Sequence, residues 1–258
     1  MESTIILLSI LFLILVFIVC GKKGFRLLAS LALTVIALVW VIMPLIVDGH
    51  DPEIVVFLAG LPILIFVVYL TEGFKPLSHL SIIAVAFNFL LVSVVAHVSV
   101  MLAGLTGITS SDMSFLGIAG INLQELLVSG IMLGTLGILT EMVVTQVATV
   151  FELNQASPNA DRGSLFRQSY SVGVAHLGSI INTLFLVYAG VSFPLLIIYV
   201  GDNATLSSAL NYEPLASEFI RALAGTIGLI IAMPIATWLA VRWLKRGTTR
   251  GTSSASSR

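Results

Sequence analysis

Seven runs of roughly twenty apolar residues follow one another along the chain, each long enough to cross about 30 Å of hydrocarbon as a helix. A bilayer core offers no water to exposed peptide groups, so such runs fold as helices whose backbone hydrogen bonds are internal. The windows fall near Thr4 to Cys20, Leu27 to Val47, Ile54 to Thr71, Leu80 to Gly104, Leu123 to Leu153, Val172 to Val200 and Ser217 to Leu244. Only 10% of the 258 residues are charged, against about 25% in an ordinary soluble domain. That excludes a soluble globule. The expected fold is all-α, a polytopic transmembrane helix bundle forming one domain over residues 1–246. The Ser/Thr-rich, basic residues 247–258 read as a disordered tail.

Charge sets the expected direction. Eleven of the 12 lysines and arginines follow the first, third and fifth spans or follow or end the seventh, and Arg221 is the exception. Acids such as Glu2, Asp48, Asp51, Glu53, Asp112, Asp202 and Glu213 gather in the alternate loops. Short loops rich in Lys and Arg stay cytoplasmic, so the N-terminus is expected outside, the C-terminus inside, and the protein in the cell membrane. A net charge of −1 supplies no basic field for nucleic acid. The single Cys20 ends the first run without the small residues that precede a lipidated cysteine, so that run reads as a retained span. The Asn203-Ala204-Thr205 sequon lies on the expected outer side, a tripeptide that also arises by chance.

An ionisable group at the centre of a spanning helix costs roughly 2.5 to 3.5 kcal/mol even on insertion scales. Glu141 is the sharpest case, about 18 Å from the end of the fifth span at 1.5 Å per residue. Gly130, Gly134, Gly137, Thr145, Ala148 and Glu152 recur with it at helical spacing, forming one small, polar face. Two readings stand: a packing seam that lets another helix approach closely, or a cavity in which the carboxylate binds a cation or proton. In the sixth span Asn182 is expected at the depth of Glu141, and His176 at that of Thr145 and Gln146. The candidate intramembrane polar or ion site is therefore Glu141, Thr145, Gln146, His176, Ser179 and Asn182. Gly130, Gly134, Gly137 and Gly178 are the helix-packing positions. His97 and Asn88 lie on opposite faces of the fourth span, so both cannot join this cluster. The histidines and acids share no local ligand spacing, so no metal and no cofactor is expected. Walker, Gly-x-Ser-x-Gly and His-Glu-x-x-His patterns do not occur, and no enzymatic activity is expected.

From Leu105-Thr106-Gly107 the chain resembles the YibE/F-like family of multi-pass membrane proteins. The resemblance runs through Ile121-Asn122-Leu123 and Gly134-Thr135-Leu136-Gly137-Ile138-Leu139. Val144-Thr145-Gln146 with Glu152-Leu153, then Leu165-Phe166, Val172-Gly173, His176, Ser179, Asn182-Thr183-Leu184 and Tyr188-Ala189-Gly190 complete it, best over residues 105–198. Glu141 stands where family members usually carry Asp, and Val174-Ala175 where many carry Arg-Asp. The resemblance implies an integral membrane protein, sometimes supposed to be a permease. The expected function is a permease of an ion or small solute, with the lipid bilayer as its surroundings and a homo-oligomer or membrane partner compatible with its small-residue faces. The alternative is a non-transporting scaffold or subunit of a larger membrane complex.

Overall fold

The computed structural model describes residues 2–201 and 205–252. Every regular element among them is helical, and seven helices are long and apolar enough to span a membrane. α1 (Glu2–Cys20) buries no residue: it is apolar all round and packs along α2, as suits a helix whose surroundings are lipid.

The second span is built from α2 (Lys22–Ala37), a π-helical turn (Leu38–Ile42) and α3 (Met43–Val47). Proline explains the wide turn. Pro44 has no N–H and its ring crowds the carbonyl four residues back, and just before it the N–H of Met43 reaches Leu38 O, five residues away. α4 (Pro52–Glu72) starts where Asp51 accepts the Ile54 N–H at 3.0 Å and Pro52 takes the first helical position. α5 (Pro76–Leu102) also opens on a proline.

A short α6 (Ser111–Ile118) leads to α7 (Leu123–Ala156), whose first turn is capped by Asn122 Oδ1 accepting from Gln124 N and Glu125 N. α8 (Arg162–Val191) begins about ten residues before the apolar window of the sixth span. Asp161 Oδ2 accepts the Gly163 and Ser164 N–H groups there, so the cap rather than hydropathy sets the start. α8 stops at Val191, and Pro194 falls in the second position of the separate α9 (Phe193–Gly201). After α10 (Leu206–Leu210), α11 (Glu213–Thr252) passes through Pro234 and runs on to Thr252, into the stretch read as a tail. Residues 253–258, like Asn203, lie outside the described residues.

α5, α7 and α11 form the centre of the bundle, with α4 and α8 on its flanks. Phe89, Met132, Leu139, Met142, Leu229 and Met233 are fully buried there, and Phe57 of α4 stacks on Phe89 at 5.6 Å. Close approach comes from a repeat of small residues on α11, Ala224, Gly228, Ala232, Ala236 and Ala240, all buried. Without a hydrophobic drive between helices in lipid, such spacing gains dispersion contact instead. Gly228 shows how tight the fit is, since a Cβ there would collide with Val92 Cγ2.

Candidate functional site

α7 has one face that the bundle leaves uncovered. Its core residues return at three- and four-residue spacing towards α5 and α11, while Gly134, Gly137, Glu141 and Thr145 are exposed along the opposite stripe. With α4 and α8 both packed against α7, this stripe runs along an open groove. At its Gly134 and Gly137 end, on the α4 side, the groove deepens into a hollow of about 450 Å³ lined also by Leu38 and Ile42 of the π turn, Thr34 and Ile63, while Glu141 and Thr145 continue the stripe beyond that lining. The widened turn before Pro44 therefore shapes a wall of this hollow.

Glu141 lies 15 residues from the end of α7, roughly 22 Å along the axis and close to the middle of this 34-residue helix. It is exposed, and it makes no hydrogen bond or ion pair within the described chain. Thr145 is exposed beside it. One end of the stripe is closed by side chains that sequence reasoning missed. A Cβ on Gly134 would lie 2.9 Å from the Tyr188 hydroxyl, and one on Gly130 3.5 Å from Arg221 Nη1. Arg221 sits 6.0 Å over the Tyr188 ring and 3.6 Å from Glu218, an arginine inside the membrane-spanning part of α11 held by an aromatic face and a carboxylate. Its position within the seventh apolar run, four residues after Ser217, was the available signal; the loop-by-loop charge count treated it only as an exception.

The expected six-residue cluster is divided by the fold. Gln146 faces inward, where its Nε2 donates to Ser169 O at 2.9 Å and to Thr237 Oγ1 at 2.8 Å, tying α7 to α8 and α11. The Thr237 hydroxyl in turn donates to Met233 O at 2.8 Å, so it both accepts and donates. Gly173 makes room for this bridge, because a Cβ there would lie 2.5 Å from Gln146 Oε1. The contact of Gln146 with Ser169 and Gly173 sets the antiparallel register of α7 and α8. In that register Glu141 is level with His176, and Asn182 sits nearer the depth of Thr135, a shift of about 8 Å from the expected pairing.

Asn182 and Ser179 are exposed on α8, on the side away from its core-facing residues Gly173, Leu177, Ile180 and Leu184. Asn182 is thus not a partner of Glu141 within the chain. The reason is rotational: Ile180 and Leu184 take the inward face, and a residue midway between them at 100° per step points outward. His176 is half-buried, and its Nε2 is enclosed with no hydrogen-bond partner. Gly178, expected as a packing position, has open space where a Cβ would be, as does Gly137.

Other polar groups meet at the loops. Glu53 accepts from Ser93 Oγ at 2.9 Å through Oε1, and its Oε2 lies 2.8 Å from His97 Nδ1. Asn88 is buried and donates to Ala84 O at 2.7 Å, so neither His97 nor Asn88 joins Glu141. Glu213 is held by the loop before α6: the Thr106 N–H, the Thr106 hydroxyl and the Gly107 N–H all donate to its carboxylate, at 2.6 to 3.0 Å. No group of three His, Cys, Asp or Glu side chains among the described residues could hold a metal ion.

Seven apolar spans around a small-residue core define a multi-pass α-helical membrane protein. The YibE/F-like protein family model matches residues 8–246, and the chain belongs to that family. The match takes in every span, well beyond the stretch that carries the sequence resemblance. No curated relative and no solved structure matches the chain.

Proposed function

We propose that this chain is a non-enzymatic permease of the cell membrane, moving an ion or small solute along the groove floored by Gly134, Gly137, Glu141 and Thr145, with its C-terminus cytoplasmic. The observation that carries this reading is Glu141, an exposed carboxylate at the middle of a spanning helix with no partner among the described residues. Facing lipid alone it would cost roughly 2.5 to 3.5 kcal/mol. Water or a cation in the groove removes that cost, and the glycines beside it leave space for either.

A second reading has its own support. Asn182 and Ser179 on the outward side of α8 also lack a side-chain partner among the described residues, which suits a subunit that packs against another membrane protein. Uptake and efflux in proteoliposomes, screened over ions and small metabolites, separate the two. The permease reading expects Glu141→Gln to abolish transport or flatten its pH dependence, and Glu141→Asp to retain it. Unchanged transport in Glu141→Gln would hand the groove to the packing role.

A further inference from the structure

A second hollow, this one basic, opens between other helices, at the first turns of α8 and the last apolar turns of α11. It measures about 500 Å³ and is lined by Arg162, Arg167 and Arg242 with Phe166, Trp238 and Val241. We infer that this hollow binds the phosphate-bearing headgroup of an anionic phospholipid.

Charge is the first argument. Three guanidinium groups from two helices line one hollow, and Arg167 and Arg242 make no ion pair among the described residues. Like charges held together repel unless an anion enters, and the planar fork of arginine matches phosphate oxygens in pairs. The first turn of α8 does not serve this role itself, since Asp161 Oδ2 already takes the Gly163 and Ser164 N–H groups.

Depth is the second. Arg162 opens the sixth span and the apolar part of the seventh ends at Leu244, so the arginines stand at the level of lipid headgroups. Basic hollows between spanning helices at this level suit anionic headgroups. The third argument is the wall. Arg242 lies 4.9 Å over the Trp238 ring, while that indole remains 49% exposed with Phe166 beside it. A free phosphate would leave this apolar surface bare, whereas glycerol and the first acyl carbons of a lipid cover it, with the indole at its usual place in the interface.

The full chain with Trp40→Phe and Trp243→Phe keeps Trp238 as its sole indole, because the sequence has three tryptophans. Quenching of Trp238 by brominated phosphatidylglycerol and by brominated phosphatidylcholine, titrated into mixed micelles, reads occupancy directly. Phosphatidylglycerol is expected to reach half-quenching at a several-fold lower fraction than phosphatidylcholine. Arg167→Gln and Arg242→Gln should each weaken that preference, by roughly fivefold. Lys substitutions retain charge and lose the fork, giving intermediate values that also show the fold is intact. Lys22→Gln with Lys23→Gln, remote from the hollow, should preserve the preference. Equal quenching by the two lipids, or a preference that survives loss of both arginines, would overturn the site. Loss of the preference on removing Lys22 and Lys23 would overturn it in favour of general charge attraction, and full competition by inorganic phosphate would overturn the lipid assignment.

Discussion

Gln146 and Thr237 meet at 2.8 Å inside the bundle, joining the centre of α7 to α11, while the same amide nitrogen reaches the Ser169 carbonyl of α8. One side chain thereby fixes the mutual register of three helices. Gln146→Leu keeps much of the volume and removes both bonds, leaving the groups it served unpaired in a low-dielectric interior. A loss of about 1 kcal/mol is expected, read as a lower melting temperature in detergent. Asn182→Leu is expected to leave the melting temperature unchanged, because the exposed amide makes no side-chain hydrogen bond among the described residues.

Gly173→Ala tests the same bridge from the other side. Its new methyl would stand 2.5 Å from Gln146 Oε1 and 2.9 Å from Cδ, so the amide must turn away. The loss should be similar to that of Gln146→Ala, and the two changes together should cost clearly less than their sum. Gly178→Ala meets nothing within 4 Å and should be neutral. Strict additivity of Gly173→Ala and Gln146→Ala would disconnect the glycine from the bridge.

The Glu213 clamp depends on a glycine for backbone reasons. Gly107 has φ of +87°, and a Cβ there would collide with the Leu123 carbonyl. Gly107→Ala should therefore detach the loop before α6 from Glu213 and destabilise the protein by about 1 to 3 kcal/mol. Proteolysis of the loop around Thr109 should accelerate in that variant, while Gly104→Ala, where a Cβ finds open space, should have the smaller effect despite its φ of +63°.

Exposure of the stripe to water can be measured by thiol chemistry. In a Cys20→Ser background, cysteines at Gly137, Glu141 and Thr145 should react with a charged, water-soluble reagent in intact membranes. A cysteine at Met142, fully buried against the core, should not. Protection of all four positions would mean that lipid or another protein covers the groove.

Orientation follows from the segregation of basic residues. A cysteine at Asp51 should be labelled from outside intact cells, and one at Gly24 or Asn159 only after permeabilisation. Labelling of Asn159 from outside would reverse the direction.

Hydropathy by itself decides that the chain is a helical bundle of seven spans, because a bilayer allows an apolar run of twenty residues few other ways to satisfy its backbone. Periodicity on α7 likewise makes the Gly134, Gly137, Glu141, Thr145 stripe visible, since residues three and four apart share a face wherever the helix is placed. What surrounds that face is a matter of tertiary structure. Gln146 lies one residue beyond Thr145, yet a rotation of about 100° sends it into the core and Thr145 to the surface. The Asp161 cap starts α8 about ten residues ahead of its apolar window, and the helix register moves Asn182 away from Glu141 with it. Arg221, an outlier in the charge count, acquires Tyr188 from packing between α8 and α11, whereas Glu218 is its neighbour three residues back on the same helix. Local sequence specifies which residues share a face, whereas rotation, register and the neighbour across the gap depend on long-range packing against α5 and α11.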